Sequence, residues 1–233
     1  YTLNYSVNDI AWAENDWFCY TQKGTSFTYL HWINTADGTS YDDKNSYDLD
    51  GNSIIKKVPG QSYLIATRNS TSPSGFFAYD IATKSEKSYS HMDLYNFWFS
   101  ENGDYIFATN SNIYRTTSST GSTDTFDADI SAIGKINTGA QNYYGLQYIY
   151  HSNNYLWVLQ NSGSSASICQ VEDNDYTLVK KYDYDIVYQP DAQTAPFYIS
   201  ANFIFANKEG TEIAVLCKSD SGNSWVIQFV AVQ

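Results

Sequence analysis

Positive charge is scarce in this sequence: 13 Lys and Arg stand against 25 Asp and Glu, a formal net charge of −12. A nucleic-acid binder needs a basic stripe that displaces phosphate counterions, so this balance argues against nucleic acid as a partner. The basic pairs Lys56-Lys57 and Lys180-Lys181 are too small to reverse it and are expected on solvated strands. An acidic field favours cations, basic partners or neutral ligands such as sugars. Cysteine is also rare. Cys19, Cys169 and Cys217 form no CxxC pair, and an odd number cannot be fully paired within one chain. Cys19 and Cys217 sit in strongly apolar runs and are expected as small buried core residues, and without closely spaced Cys or His ligands no zinc site is expected. No apolar run reaches 18 residues, so no transmembrane helix and no membrane insertion are expected. No signal peptide is present and the chain opens at Tyr1 without Met, which reads as a processed or trimmed chain. GxSxG, HExxH and phosphate-binding glycine motifs are absent, and no cofactor is expected.

Aromatic residues fill the space that charge leaves: 22 Tyr, 12 Phe and 6 Trp, or 17% of the chain. They favour a pleated, half-buried surface, whereas good helix formers are thin. A polar surface made of Ser, Thr, Asn, Gln and Tyr suits an extracellular or cell-surface β protein. Two N-glycosylation sequons occur, Asn4-Tyr5-Ser6 and Asn69-Ser70-Thr71, but in an Asn- and Ser-rich chain such triplets arise by chance.

One strand type recurs five times: Trp17 to Thr21, Tyr63 to Thr67, Tyr105 to Thr109, Tyr155 to Leu159, and Ile213 to Cys217. Each copy follows a short polar turn, such as Pro59-Gly60-Gln61 or Glu101-Asn102-Gly103, whose residues preset or permit the bend. An apolar strand precedes each turn: Ile10 to Ala13, Ile54 to Val58, Phe97 to Phe99, Leu146 to Tyr150, and Phe203 to Ala206. A third strand follows each copy, ending with Trp225 to Val232. A more polar fourth segment follows in four units: Ser40 to Lys44, Ser85 to Ser90, Thr123 to Asp129, and Tyr176 to Tyr182. Four strands at this period resemble the blades of β-propeller repeat proteins, a likeness of pattern that carries no functional residues. It implies one all-β domain over residues 1–233, a five-bladed β-propeller of four-stranded antiparallel blades. The fifth unit has only three strands, so Tyr1 to Ser6 is expected beside Trp225 to Val232, closing the last blade as in WD-type propellers. A β-sandwich or barrel also gives many short strands and stays open.

Loops on a rigid scaffold are where propellers bind ligands. Two blade connections are longer than the rest, Ser131 to Tyr144 and Tyr184 to Tyr198. They supply the candidate ligand-binding residues Asn142, Tyr143, Tyr144, Tyr188, Gln189 and Asp191, since aromatic rings stack on sugar C–H faces while amides and carboxylates bond hydroxyls. The expected function is an extracellular, non-enzymatic binding module for a glycan or protein. A small glycoside hydrolase with Asp9 and Asp185 at a channel mouth, or a scaffold domain of a larger surface protein, are the alternatives. His31, His91 and His151 occupy different positions in their units and do not converge. Asp48-Leu49-Asp50-Gly51-Asn52 resembles the opening of a calcium loop, but the twelfth position is Pro59, so an Asx-type turn is expected.

Overall fold

Short runs of β-branched and aromatic residues, broken by Asn, Gly and Asp, leave no stretch long enough to nucleate and propagate a helix. Strands are accordingly the only regular elements of ordinary length among the described residues. The computed structural model describes residues 3, 5–24, 26–43, 49–72, 74–116, 132–139, 146–152, 154–162 and 165–232. The strands form five sheets of four strands each, and the fold is a five-bladed β-propeller.

The first blade comprises β1 (Val7–Trp12), β2 (Trp17–Gln22), β3 (His31–Asn34) and β4 (Ser40–Asp42). The second comprises β5 (Ile55–Lys57), β6 (Tyr63–Arg68), β7 (Gly75–Asp80) and β8 (Ser85–Ser90). The third comprises β9 (Phe97–Phe99), β10 (Tyr105–Ala108), β11 (Asn112–Arg115) and β12 (Gly134–Lys135). The fourth comprises β13 (Leu146–Ser152), β14 (Tyr155–Ser162), β15 (Ser165–Glu172) and β16 (Leu178–Asp183). The fifth comprises β17 (Val187–Tyr188), β18 (Phe197–Ala206), β19 (Glu212–Ser219) and β20 (Trp225–Ala231). The five recurring sequence strands are β2, β6, β10, β14 and β19.

Two details differ from the sequence expectation. Thr123 to Asp129 lies outside the described residues, and the fourth strand of the third blade is β12, with Gly134 opposite Ile113. The fifth blade is completed by β17, with Val187 opposite Tyr198 and Tyr188 opposite Phe197. Of the segment Tyr1 to Ser6 expected beside Trp225 to Val232, Tyr1, Thr2 and Asn4 lie outside the described residues, and the described pairs of β20 are with β19. Instead the Ser6 carbonyl accepts a hydrogen bond from the Lys23 amide at 2.8 Å, and the Tyr5 ring stacks on His31 at 4.7 Å. The N-terminal segment thereby prolongs the β1–β2 pairing. β17 and β18 are neighbours along the chain, so closing the loop between them costs little entropy.

The chain divides into two compact units, Tyr1–Asn96 with Asn102–Ile106 and Tyr114–Ser131, and Phe97–Glu101 with Phe107–Ile113 and Ala132–Gln233. In the first, Ala11, Cys19 and Trp32 share a buried cluster with Leu64, Phe77 and Tyr79. In the second, Trp157, Leu159 and Ile168 share one with Ile204, Val215 and Cys217. Each large side chain buried in this way contributes about 1.5–3 kcal/mol. All three cysteines are free and buried, as their apolar surroundings imply.

Burial along the strands shows which faces are covered. β6 is buried at five successive positions from Leu64 to Arg68, so both of its faces are packed. β19 alternates: Ile213, Val215 and Cys217 are buried while Ala214 and Leu216 are half-exposed. Leu216 lies opposite Ile227 and Ala214 opposite Phe229, and Ile227 and Phe229 are 58% and 67% exposed. The fifth blade therefore has two apolar faces, of which one is bare among the described residues.

Candidate functional site

Three segments of the first unit come together at the end of the second blade where β6 passes into β7: residues 49–54, 69–74 and 91–96. Asp50, fully buried, ties the first two. One carboxylate oxygen accepts the Asn52 amide at 2.9 Å, which is the Asx turn expected from the sequence. The other accepts the amides of Ser70 at 2.6 Å and Thr71 at 3.2 Å. A buried carboxylate bonded in this way is a structural anchor, stable only because backbone donors replace its water. Asp48 lies outside the described residues, and the Asn52 side-chain amide donates to the Ser70 hydroxyl. Among the described residues no group of three or more His, Cys, Asp or Glu is placed to hold a metal.

Asn69 ties in the third segment. Its side-chain nitrogen contacts the Thr67 hydroxyl at 3.0 Å and the carbonyls of Asn52 and Tyr95 at 3.2 Å each. These bonds engage the nitrogen that glycosylation of the second sequon would modify. Tyr95 itself has φ +55° and is 48% exposed. For a residue with a side chain this left-handed backbone costs about 1–2 kcal/mol, so surrounding bonds must impose it. The next residue, Asn96, accepts a hydrogen bond from Lys56 Nζ at 2.9 Å.

Lys56 projects from β5. Burial lowers its pKa from 10.5 to about 8, and the negative charge of Asp9 only partly opposes that shift. The Asp9 carboxylate is engaged by backbone: one oxygen accepts the Ile55 amide at 2.9 Å and the other the Ile10 amide at 3.0 Å. Asn8 donates to the Ser53 carbonyl at 2.8 Å, so β1 is stitched to the segment leading into β5. The backbone of an exposed aromatic residue is thereby tied to Asn69, and its neighbour Asn96 to Lys56. An exposed ring offers a hydrophobic face for the C–H groups of a ligand.

The residues that the sequence singled out lie elsewhere. Asn142, Tyr143 and Tyr144 fall outside the described residues. Tyr188 sits in β17 with its ring edge-on to Phe197 at 5.6 Å. The stretch Tyr184 to Tyr198 therefore contains a β-hairpin where an open loop was expected. Gln189 is exposed. Asp191 accepts the amides of Gln193 and Thr194 and the Thr194 hydroxyl, and those bonds hold its carboxyl below the usual range. Of the two acids weighed for hydrolysis, Asp9 has both oxygens bonded to backbone amides in the first unit. Asp185 belongs to the second unit, where its backbone exchanges two hydrogen bonds with the Gln228 side chain.

The histidines occupy separate networks. His31 is buried between the rings of Tyr5 and Tyr20, with Nδ1 2.8 Å from Asp42 and Nε2 3.4 Å from the Thr28 hydroxyl. The order Thr–His–Asp imitates a hydrolytic triad, but Thr28 is buried away from any substrate, so the network is a strut. His151 accepts the Glu101 amide on Nδ1 and faces Asp173 with Nε2 at 3.3 Å. His91 is exposed and bonds the Tyr89 hydroxyl. Tyr95 lies in the short connection 91–96, outside the two long ones, and Lys56, expected on a solvated strand, is buried instead because other segments cover it. The available signal was the Tyr95-Asn96 pair placed immediately before the apolar strand Phe97-Trp98-Phe99.

No family model matches the chain, and no curated protein matches it. Solved structures do. It is similar to hydrazine synthase of Kuenenia stuttgartiensis, with a TM-score of 0.65 at 9% identity over 97% of this chain and 63% of that one. A functionally unknown protein of Desulfotomaculum acetoxidans gives a TM-score of 0.61 at 13% identity, covering 100% of this chain and 71% of that one. The periplasmic gluconolactonase of Pseudomonas aeruginosa gives 0.56 at 13% identity, covering 97% and 71%. These likenesses are to β-propellers, and at such identities they concern fold alone. The chain spans 63% of the first of these proteins and 71% of the other two.

Proposed function

We propose that this chain is an extracellular or cell-surface, non-enzymatic binding domain, and that its ligand is a neutral glycan held at the loop end of the second blade. The observation that supports this reading is Tyr95: a large ring left exposed on a strained backbone that Asn69 holds in place. Strain of this kind persists only where the surroundings over-determine it, and it clusters at ligand contacts. The net charge of −12 favours an uncharged ligand in the same way. Tyr188, Gln189 and Asp191, and separately Asn142, Tyr143 and Tyr144, remain candidate residues for the same ligand class.

A glycan array probed with the wild-type chain and with Tyr95→Ala tests the assignment. Retention of neutral glycans by the wild type and loss in the variant, at unchanged circular dichroism, is the expected result. A silent array, or a variant that binds as well as the wild type, overturns it. Release of reducing sugar from a bound glycan, abolished by Asp9→Asn, would instead establish the hydrolase reading.

A further inference from the structure

Arg68 closes β6 at the same end of the second blade and is only 7% exposed. Its guanidinium lies over two rings, 5.2 Å from the centroid of Phe77 and 5.5 Å from that of Tyr89. Those rings stack on each other at 4.5 Å. One terminal nitrogen donates to the Tyr89 hydroxyl at 3.1 Å. Nε is buried with no hydrogen-bond partner, and no carboxylate lies within ion-pair distance among the described residues. A guanidinium has five N–H donors and is always charged, so removing it from water with one conventional hydrogen bond is costly. The facing rings offset part of that cost through their quadrupoles. In a chain with 25 acidic residues, an internal carboxylate would have been the ordinary remedy, and this position lacks one.

The geometry points to a carboxylate-binding site at Arg68, in which a planar monoanion of a ligand meets the free Nε–H edge of the guanidinium. Nε and the adjacent terminal nitrogen present parallel N–H bonds at the spacing of two carboxylate oxygens. The guanidinium lies against the Phe77 and Tyr89 rings, so a ligand at this edge meets apolar surface beside the charge. The strongly acidic field of the chain disfavours a dianion such as phosphate more than it disfavours a single charge. Tyr89 and His91 extend the site. The Tyr89 hydroxyl that accepts from Arg68 also bonds His91 Nδ1 at 2.8 Å, and when it donates there the imidazole proton resides on Nε2, an additional donor. Gly75 makes the arrangement possible, because a Cβ at that position would come within 2.7 Å of the Tyr89 ring. The site stands on different side chains from the Tyr95 surface and does not depend on it.

The wild-type chain, with its Arg68 Nε–H resonance assigned through Arg68→Lys, is titrated with sodium glucuronate, glucose and inorganic phosphate at constant ionic strength. A saturable shift of that resonance with glucuronate, absent with glucose and weaker with phosphate, is expected. Arg68→Lys, which keeps the charge and loses the fork, is expected to weaken glucuronate binding by about tenfold. His91→Gln, at an exposed position, is expected to fold normally and to weaken it by a smaller factor. An unmoved Nε–H signal in the wild type overturns the site, even where Tyr95-dependent glycan binding persists. A phosphate response equal to or stronger than that of glucuronate overturns its assignment to carboxylate.

Discussion

Lys56 and Tyr95 are each held in a state that an isolated residue avoids, and both yield measurable consequences. Below about pH 8 the Lys56 ammonium is charged in the folded and unfolded chains alike, and its burial lowers stability by a constant amount. Between about 8 and the unfolded value of 10.5 the folded chain binds fewer protons than the unfolded one, so stability rises with pH. Lysine methyl labelling followed by NMR should show one amine titrating near pH 8, assigned to Lys56 by its absence in Lys56→Met. Calorimetry of that variant should show the stability rise abolished and the Tm at pH 7 increased. Tyr95→Gly separates function from stability, because glycine adopts positive φ freely. The variant is expected to be at least as stable as the wild type in urea, within about 1 kcal/mol, while losing glycan retention. The burial of Cys19 and Cys217 was legible in the sequence, since both sit in strongly apolar runs. The lowered pKa of Lys56 was not, because it arises from residues of other segments that cover the side chain.

At the scale of single strands, the repeat strands appear where their apolar runs and preceding turns put them, from β2 at Trp17 to β19. Turn chemistry was legible too: Gly103 has φ +75° and stands against Pro59 of the neighbouring turn, where a Cβ would meet the Pro59 carbonyl. Partnership between strands was less legible. The continuous apolar run of β19 reads as a strand covered on both faces, yet one face is bare, because periodicity records side-chain type and not what lies opposite. Gly75→Ala tests the packing of β7 on β8. The added methyl would collide with the Ser90 carbonyl and the Tyr89 ring, so a loss of about 1–3 kcal/mol in chemical denaturation is expected. The bare face of β20 predicts self-association. Phe229→Lys, at a position 67% exposed, should lower the average mass in analytical ultracentrifugation at high concentration with little change in Tm.

For the whole molecule, a net charge of −12 makes the folded chain repel itself, and added salt screens that repulsion. The Tm should therefore rise as sodium chloride is raised from low ionic strength to about 0.15 M, where the Debye length falls to about 8 Å. An unchanged Tm would mean that local pairs cancel the net field. The sequence by itself determined the class, the number of blades and the second strand of most blades, because turn residues and strand periodicity are local and repeat along the chain. Tertiary structure alone decided that β17 pairs with β18 as a fourth strand of the fifth blade. It also decided that Tyr188 packs on Phe197, that Asn69 ties the exposed Tyr95 while Lys56 is buried beside Asn96, and that Arg68 has no counterion among the described residues. The reason is physical: strand identity follows from neighbours in sequence, whereas exposure, strain and the partner of a charge depend on segments brought together from far along the chain.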